Sequence, residues 1–167
     1  MIILDKHGIF SLKEIDLDDI EYLREWKNKH RNSFFHKEVI TSEQQSKWFD
    51  SYSIDPENNM FVVMLANKAV GCMGYRMKDD IIDVYNIMRG VDTNDENFKM
   101  SDAFKLMLNY IHYKYHKKIT CVVLNDNPAF QWYIKTDFLV RYEYKEHSFL
   151  EYHPKKFLNN FIVKEDA

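Results

Sequence analysis

Several features are missing from this sequence, and each absence removes a class of protein. Lysine and arginine total 23 against 26 aspartates and glutamates, a net charge of -3, so no basic excess supports nucleic-acid binding. No apolar run approaches the roughly 20 residues that a membrane-spanning helix requires. Met1–Leu4 is apolar but is followed at once by Asp5 and Lys6, unlike a signal peptide. We therefore expect a cytoplasmic protein that binds neither nucleic acid nor membrane.

Cysteine and glycine are also scarce. The two cysteines, Cys72 and Cys121, lie inside apolar runs typical of strands, which favours buried, reduced thiols. Histidines and cysteines do not cluster at the spacing of a metal site, so we expect no metal. The four glycines are Gly8, Gly71, Gly74 and Gly90.

What the chain does contain is enough apolar sequence for one core. Of its 167 residues, 46% are hydrophobic and 16% aromatic, which fits a single domain, 1–167, with 158–167 as a possible flexible tail. Alternating and helical patterns predict strands at 8–15, 60–66, 69–77, 81–88, 118–124, 138–147 and 148–157. We predict an α/β (α+β) domain of three layers, with helices on both faces of a mixed, twisted sheet of about seven strands.

A strand, a loop and a helix between residues 81 and 115 form the centre of this prediction. Ile81–Met88 is an apolar strand, Ser101–Tyr115 is an amphipathic helix with Ser101 as its cap, and Lys118–Leu124 is an apolar, β-branched strand. Such a crossover makes the two strands parallel. Because the first amides of a helix lack internal partners, the helix start is a natural place to hold a phosphate.

A second, shorter unit covers Asn125–Phe138. Asn127-Pro128 is typical of a helix start, with Asn as the cap and Pro at the first helical position, and it predicts a helix over Pro128–Lys135. This stretch is similar to the pattern Asn-x-x-Ala-x-x-x-Tyr-x-x-x-Gly-Phe. The spacing is matched by Ala129, Tyr133 and Phe138, whereas Asp137 replaces the Gly and Asp126, or Asn127 shifted by one, stands at the Asn.

Together with the order of elements, this pattern resembles the GNAT family of acyl-CoA-dependent N-acyltransferases, over about residues 8–157. The resemblance implies an enzyme, an N-acetyltransferase with acetyl-CoA as co-substrate and a primary amine as acceptor. Tyr133 stands where the family has the tyrosine that protonates the leaving thiolate, although a core tyrosine is the competing interpretation. A bulge at Met88 or its neighbour would free an N–H for the thioester oxygen.

The same resemblance implies a set of coenzyme-binding residues. The family's phosphate loop, Gln/Arg-x-x-Gly-x-Gly/Ala, corresponds here to 96–101, where both glycines are absent. The backbone amides remain, and Lys99 and Ser101 offer a positive charge and a hydroxyl. The expected coenzyme contacts are Ile87, Met88, Arg89, Asn97, Lys99, Met100, Ser101, Asp102, Asn127 and Lys135.

The group that takes the proton from the amine stays open among several residues. Asp83, in the middle of an apolar strand, is costly to bury without a partner, so it is either functional or an edge residue. Histidine changes protonation near neutral pH, which makes His36 the second candidate. In an alternating strand Tyr85 shares the face of Asp83 and Asn86 lies on the opposite face. Further candidates are Tyr85 itself and, on the closing hairpin, Glu143 and His147.

The segment 23–49 narrows the range of acceptors that the resemblance implies. Its Leu-Arg-Glu-Trp-Lys-Asn stretch, aromatic loop and Thr41 to Gln44 capping box are similar to bacterial GNAT members that acetylate either ribosomal-protein N-termini or nucleotide-linked amino sugars. We favour the sugar. Arg31 would bind a pyrophosphate, and aromatic rings would stack on a nucleotide base. The acceptor-binding candidates are therefore Arg31, Phe34, Phe35 and Tyr85. The two Phe would instead anchor the loop in the core if the loop has no such role.

Two other functions stay open at this stage. One is a protein N-terminal acetyltransferase. The other is a non-catalytic domain that binds acyl-CoA or a partner chain, which the missing loop glycines favour. We expect a monomer or a homodimer.

Overall fold

A nine-stranded sheet is the frame of the structure, a computed structural model that describes residues 1–165. Its strands are β1 (Ile2–Asp5), β2 (Phe10–Glu14), β3 (Asn58–Leu65), β4 (Lys68–Lys78), β5 (Ile81–Arg89), β6 (Lys118–Leu124), β7 (Phe138–Glu143), β8 (His147–Tyr152) and β9 (Phe161–Lys164). Its helices are α1 (Ile20–Lys29), α2 (Ser42–Ser53), α3 (Met100–Tyr115) and α4 (Phe130–Lys135), with a 3₁₀ turn at Arg31–Ser33.

The strands lie in the order β7-β8-β6-β5-β4-β3-β2-β1-β9. Neighbours are antiparallel except for β5 and β6, which are parallel and joined through α3. The predicted crossover is therefore confirmed. It places the carboxyl ends of β5 and β6 side by side in the middle of the sheet, which is where a ligand cleft can open.

Helices cover both faces of the sheet, as predicted. On one face, Phe104 of α3 packs in the larger core cluster and stacks on Phe138 with 5.7 Å between ring centroids. On the other face, Leu23 and Trp26 of α1 join Tyr52 of α2 in a second cluster. Fully burying an aromatic side chain such as Phe104 contributes roughly 1.5–3 kcal/mol, so both layers have a substantial apolar driving force.

Two strands were missing from the predicted seven. β1 and β9 have four residues each, too few for an alternating pattern to stand out in sequence, and they pair with each other at the sheet edge. Ile3 of β1 is nevertheless fully buried. The segment 158–167, expected as a possible flexible tail, thus contains a strand of the sheet. Its last two positions, 166 and 167, lie outside the described residues.

Two helix starts differ from the predictions. α3 begins one residue early, and Ser101 is not its cap: the Lys99 amide donates to the Asp102 carboxylate at 3.1 Å, which stabilises the first turn. α4 begins two residues late, because Asn127 forms a turn first: its Oδ1 accepts the Ala129 amide at 2.8 Å.

The capping box before α2 is confirmed. The Thr41 hydroxyl accepts the Gln44 amide at 3.2 Å, and the Gln44 side chain accepts the Thr41 amide at 2.9 Å. These reciprocal bonds set where α2 starts, and hence where Trp48 stands over the sheet.

Candidate active site

The parallel strands β5 and β6 separate part of the way along their length. Their pairing covers residues 81–83 and 118–120. Beyond these residues the facing edges of the two strands do not pair, although β5 stays bonded to β4 and β6 to β8. The two edges therefore offer free backbone N–H and C=O groups on either side of a gap.

A bulge in β5 lies beside this gap. Tyr85 is opposite Gly74 and Met88 is opposite Cys72, so two residues of β5 face one residue of β4. The bulged residue, Asn86, has a left-handed backbone with φ of 52°, a conformation that Asn adopts more readily than most residues. The predicted bulge is confirmed, with Asn86 at its centre.

The bulge also corrects the predicted faces of β5. The Asn86 side chain contacts Met60 Sδ, with its Nδ2 at 3.9 Å, and Met60 belongs to the cluster against which Tyr85 packs. Asn86 therefore lies on the same side of the sheet as Tyr85, not on the opposite side. The reason is that one extra residue in a strand reverses the alternation of the residues that follow.

A cavity of about 360 Å³ occupies the gap, and we call it the strand cleft. Its walls come from both separated strands, from α4 and from the loop after α1. Seven of the predicted site residues line it: Phe34, Phe35, His36, Asp83, Tyr85, Asn127 and Tyr133. These residues are scattered over a hundred positions of sequence, and the fold brings them together.

Tyr133 is one of the buried residues with a polar group that line the strand cleft. Its ring packs edge-on against Phe104 and Phe138, and it is 8% exposed. Its hydroxyl forms no hydrogen bond with any group in residues 1–165. Burial raises the pKa of Tyr133 well above its ordinary value, and the nearby Cys121 and Asp83 raise it further. The phenol therefore stays protonated and is available as a donor.

Asp83 is buried but not isolated. Its Oδ2 accepts Arg76 Nε at 2.9 Å and Lys78 Nζ at 3.2 Å. Next to it, the Arg76 guanidinium lies 4.6 Å from the centroid of the Tyr85 ring, and the Tyr85 hydroxyl donates to Asn58. Burial raises the pKa of Tyr85, so it too keeps its proton.

The loop after α1 forms the outer wall. His36 is exposed at the entrance, Phe34 is half-buried against the second core cluster, and Phe35 is 60% exposed with its ring edge-on to His147 at 5.7 Å. Arg31 lies in the 3₁₀ turn, exposed and away from the strand cleft, where its Nη1 donates to the Asn28 carbonyl at 3.4 Å. The acceptor-binding candidates are thus brought together except for Arg31.

A second cavity of about 330 Å³ lies between α1, α2 and the sheet, and we call it the α1–α2 cavity. Most of its wall is apolar, with Leu23, Met60 and Trp48 prominent. It adjoins the strand cleft, because four residues line both: Lys27, His36, Trp48 and Asn86.

Lys27 is the site residue that the sequence analysis missed. Its Nζ donates to the Asn86 side-chain oxygen and lies 4.1 Å from the centroid of the Phe34 ring. Burial lowers the pKa of Lys27 to about 8, and repulsion from Arg76 contributes while the Cys72 thiol opposes it. The only sequence signal was its spacing, four residues after Leu23 on the buried face of α1.

The residues expected at the coenzyme phosphates are more dispersed. The Met100 and Ser101 amides at the start of α3 have no acceptor within the described chain. Asn97 and Asp102 line a different cavity, of about 570 Å³, beside β1 and the segment before β9. Lys99 lies at the surface before α3. The other expected contacts are Ile87, half-buried under α3, Met88, which lines the α1–α2 cavity, and Arg89 and Lys135, both exposed.

Within residues 1–165 no group of three or more His, Cys, Asp or Glu side chains is arranged to hold a metal ion. Burial raises the pKa of Cys72 to about 12 and that of Cys121 well above its ordinary value, so both thiols stay protonated. Over the same range, no helix combines the length and apolar character needed to cross a membrane.

No protein-family model matches the sequence, and no curated protein matches it. Solved structures do match the fold. Spermidine N-acetyltransferase from Vibrio cholerae, in complex with CoA and spermine, has a TM-score of 0.70 at 15% identity, covering 86% of this chain and 94% of that one. FdhC, a nucleotide-linked sugar GNAT, has a TM-score of 0.71 at 10% identity, and the match covers 86% of each chain.

RimL, a ribosomal L7/L12 α-N-protein acetyltransferase in complex with coenzyme A, has a TM-score of 0.71 at 11% identity and covers 89% of this chain and 96% of its own. These neighbours act on three different kinds of acceptor, so the similarity in fold does not indicate which acceptor this chain uses. What they share with this chain is the overall fold. The chain therefore has the fold of the GNAT N-acetyltransferases, as its sequence led us to expect.

Proposed function

We propose that this chain is an acetyl-CoA-dependent N-acetyltransferase that transfers an acetyl group to a primary amine. The observation that carries the proposal is the Tyr133 hydroxyl, which has no hydrogen-bond partner within the described chain and belongs to a side chain that lines a cleft between two separated parallel strands. A hydroxyl that lines a cavity without a partner from the chain is free to donate a hydrogen bond to a bound ligand.

The strand cleft fits an extended arm that carries amides. Past residues 83 and 120 the facing edges of β5 and β6 have unpaired backbone groups, which can bond such an arm as a neighbouring strand would. When bound, acetyl-CoA supplies the acetyl group as an activated thioester. The unpaired Met100 and Ser101 amides, with Lys99, are the groups of α3 that would meet its phosphates.

Each reacting atom then has a protein group assigned to it. Tyr133 donates a proton to the sulfur that leaves, because burial keeps the phenol protonated. An amide at the β5 bulge, Ile87 or Met88, donates to the carbonyl oxygen as negative charge develops on it. His36 takes the proton of the amine at the entrance that both cavities share. Asp83 is less suited to that role because Arg76 and Lys78 already occupy its carboxylate.

The acceptor that we favour is a nucleotide-linked amino sugar. Phe34, Phe35 and Trp48 present aromatic surface at the two cavities, on which a base or a sugar ring can stack. Among residues 1–165, Asp83 is the one carboxylate that lines either cavity, and it is already paired, which disfavours a polycationic acceptor. A protein N-terminus is the competing acceptor. The acid-rich loop 92–96 before α3 favours the other alternative, binding of a partner without catalysis.

The test is a Tyr133→Phe substitution. We expect kcat to fall by roughly 100-fold or more, because general-acid catalysis contributes about that much, while calorimetry still shows that the variant binds CoA. Turnover is followed as acceptor-dependent release of free thiol, with UDP-linked amino sugars and short peptides as acceptors. Tyr152→Phe is the matched control, since Tyr152 is also a buried tyrosine but lines another cavity.

Two outcomes would contradict the proposal. A wild-type kcat in the Tyr133→Phe variant would show that Tyr133 is not the general acid. No CoA binding by the folded wild-type protein would remove the acetyltransferase function itself, whereas CoA binding with no turnover of any acceptor would favour the non-catalytic alternative.

A further inference from the structure

Two cations line the proposed active site without enough anions to balance them. Lys27 and Arg76 both line the strand cleft, and Lys27 lines the α1–α2 cavity as well. They lie close enough that the charge of Arg76 disfavours the protonated form of Lys27. The whole chain has a net charge of -3, so this local excess of positive charge runs against the overall composition.

Lys27 has no carboxylate partner. Within residues 1–165 its Nζ forms no ion pair, and its contacts are the neutral Asn86 side chain and the face of the Phe34 ring. A partly buried ammonium without an anion is destabilising, so proteins retain one mainly where something else neutralises it. Because Lys27 faces two cavities, that neutralising group is free to come from a ligand.

Asp83 does not remove the excess. It accepts from Arg76 Nε and from Lys78 on the same oxygen, so one carboxylate is shared by two cations and none of its charge is left for Lys27. The two terminal nitrogens of Arg76 form no hydrogen bond with the described chain. The guanidinium contacts Asp83 and the Tyr85 ring, and Arg76 lines the strand cleft.

We infer that Lys27 and Arg76 together bind an anionic group, a phosphate or a carboxylate, on the acceptor amine. The inference rests on the proposed function in one respect, since it takes these cavities as the acceptor side of the enzyme. A guanidinium edge and an ammonium are well suited to an oxyanion, because both donate charge-assisted hydrogen bonds. The same two charges repel a polyamine. The acceptor therefore carries its amine and an anion on one molecule, with its apolar part against Leu23, Met60 and Trp48.

The first test needs no substrate and no CoA. Inorganic pyrophosphate and succinate are titrated into the protein by calorimetry as phosphate and carboxylate probes. We expect at least one to bind, and its affinity to fall about tenfold or more in Lys27→Met, the loss typical of a charge-assisted hydrogen bond. Lys29→Met, an exposed lysine on the same helix, should bind the probe as the wild type does.

A second variant separates charge from shape. Asn86→Asp changes one atom type and places a carboxylate beside Lys27, where the structure has the neutral Asn86 oxygen. If the site is built for an anion, Asn86→Asp should weaken probe binding by about tenfold. A loss confined to Lys27→Met, with full binding in Asn86→Asp, would show a packing effect and overturn the inference.

Paired amines then identify the source of the anion. Glucosamine 6-phosphate is compared with glucosamine, and phenylalanine with phenylalaninamide, in the acetyl-CoA-dependent assay. A higher kcat/KM for the anionic member of either pair, abolished in Lys27→Met, supports the inference and tells phosphate from carboxylate. Failure of both probes to bind, or equal binding to both variants, overturns it even if CoA binds. Lys27-dependent probe binding without CoA binding would contradict the acetyltransferase function but support the anion-binding site.

Discussion

The charge on Lys27 should destabilise the folded protein, and removing it should show this directly. Each tenfold change in proton affinity is worth about 1.4 kcal/mol, so a pKa that falls from 10.5 to about 8 makes the charged form about 3 kcal/mol less favourable in the folded state. The bond to Asn86 and the contact with Phe34 offset roughly 1–2 kcal/mol of this. Lys27→Met should therefore be about 1–2 kcal/mol more stable than the wild type at pH 7.

The effect has a pH dependence of definite sign. Between pH 8 and pH 10.5 the unfolded chain still binds a proton at Lys27 and the folded chain does not, so the wild type gains stability as the pH rises through this window. Below pH 8 both states are protonated and the cost is constant. Lys27→Met lacks this gain. The charged and titratable groups that act on Lys27 are Cys72 and Arg76 of β4, and the cavities that Lys27 lines are also lined by His36, Asp83 and Tyr85.

Urea unfolding at pH 7 and pH 10 measures the prediction. The free energy of unfolding of the wild type minus that of Lys27→Met should rise by about 2–3 kcal/mol between the two pH values. Taking the difference cancels groups that titrate in both proteins. Lys29→Met, exposed on the same helix, should follow the wild type at both values. Parallel profiles for the wild type and Lys27→Met would refute the argument that burial holds this ammonium at a cost.

Two further predictions concern the neighbours of the cleft. Gly90→Ala should lower the free energy of unfolding by about 1–3 kcal/mol in thermal or urea denaturation, because a Cβ there would lie 2.1 Å from the buried Trp26 ring. Wild-type stability in this variant would mean that α1 can move away from the Cβ without cost. His36→Gln should lower kcat by roughly 100-fold or more, because general-base catalysis contributes about that much; a wild-type kcat would assign the base to another group such as Asp83.

The fold could be predicted largely because its signals are local. The β-branched run Lys118–Leu124, the helical spacing in α3 and the capping box at Thr41 each depend on neighbouring residues, and each is confirmed. Asp137 shows a subtler signal. It replaces the Gly of the family pattern, yet its φ of 68° is the left-handed conformation for which Gly is normally used. The backbone requirement was therefore retained while the residue changed.

The site was harder to predict because its members depend on contacts distant in sequence. Asp83 was expected to be either functional or at an edge, and its pairing with Arg76 and Lys78 across two strands is invisible to a strand pattern. Lys27 was not among the predicted site residues. What makes it part of the site is Asn86, which lies 59 residues away in the chain.

Asn86 connects the two cavities, and its residue type fits what they do. A left-handed residue is required for the bulge, and Asn, Asp and Gly are the residues that tolerate it best. Gly would leave the Lys27 ammonium without its hydrogen bond, and Asp would neutralise it. Asn alone of the three both positions the ammonium and leaves its charge uncompensated. A site built only for structure would gain from the carboxylate, so the neutral amide at this position is what a pocket that takes its anion from a ligand requires.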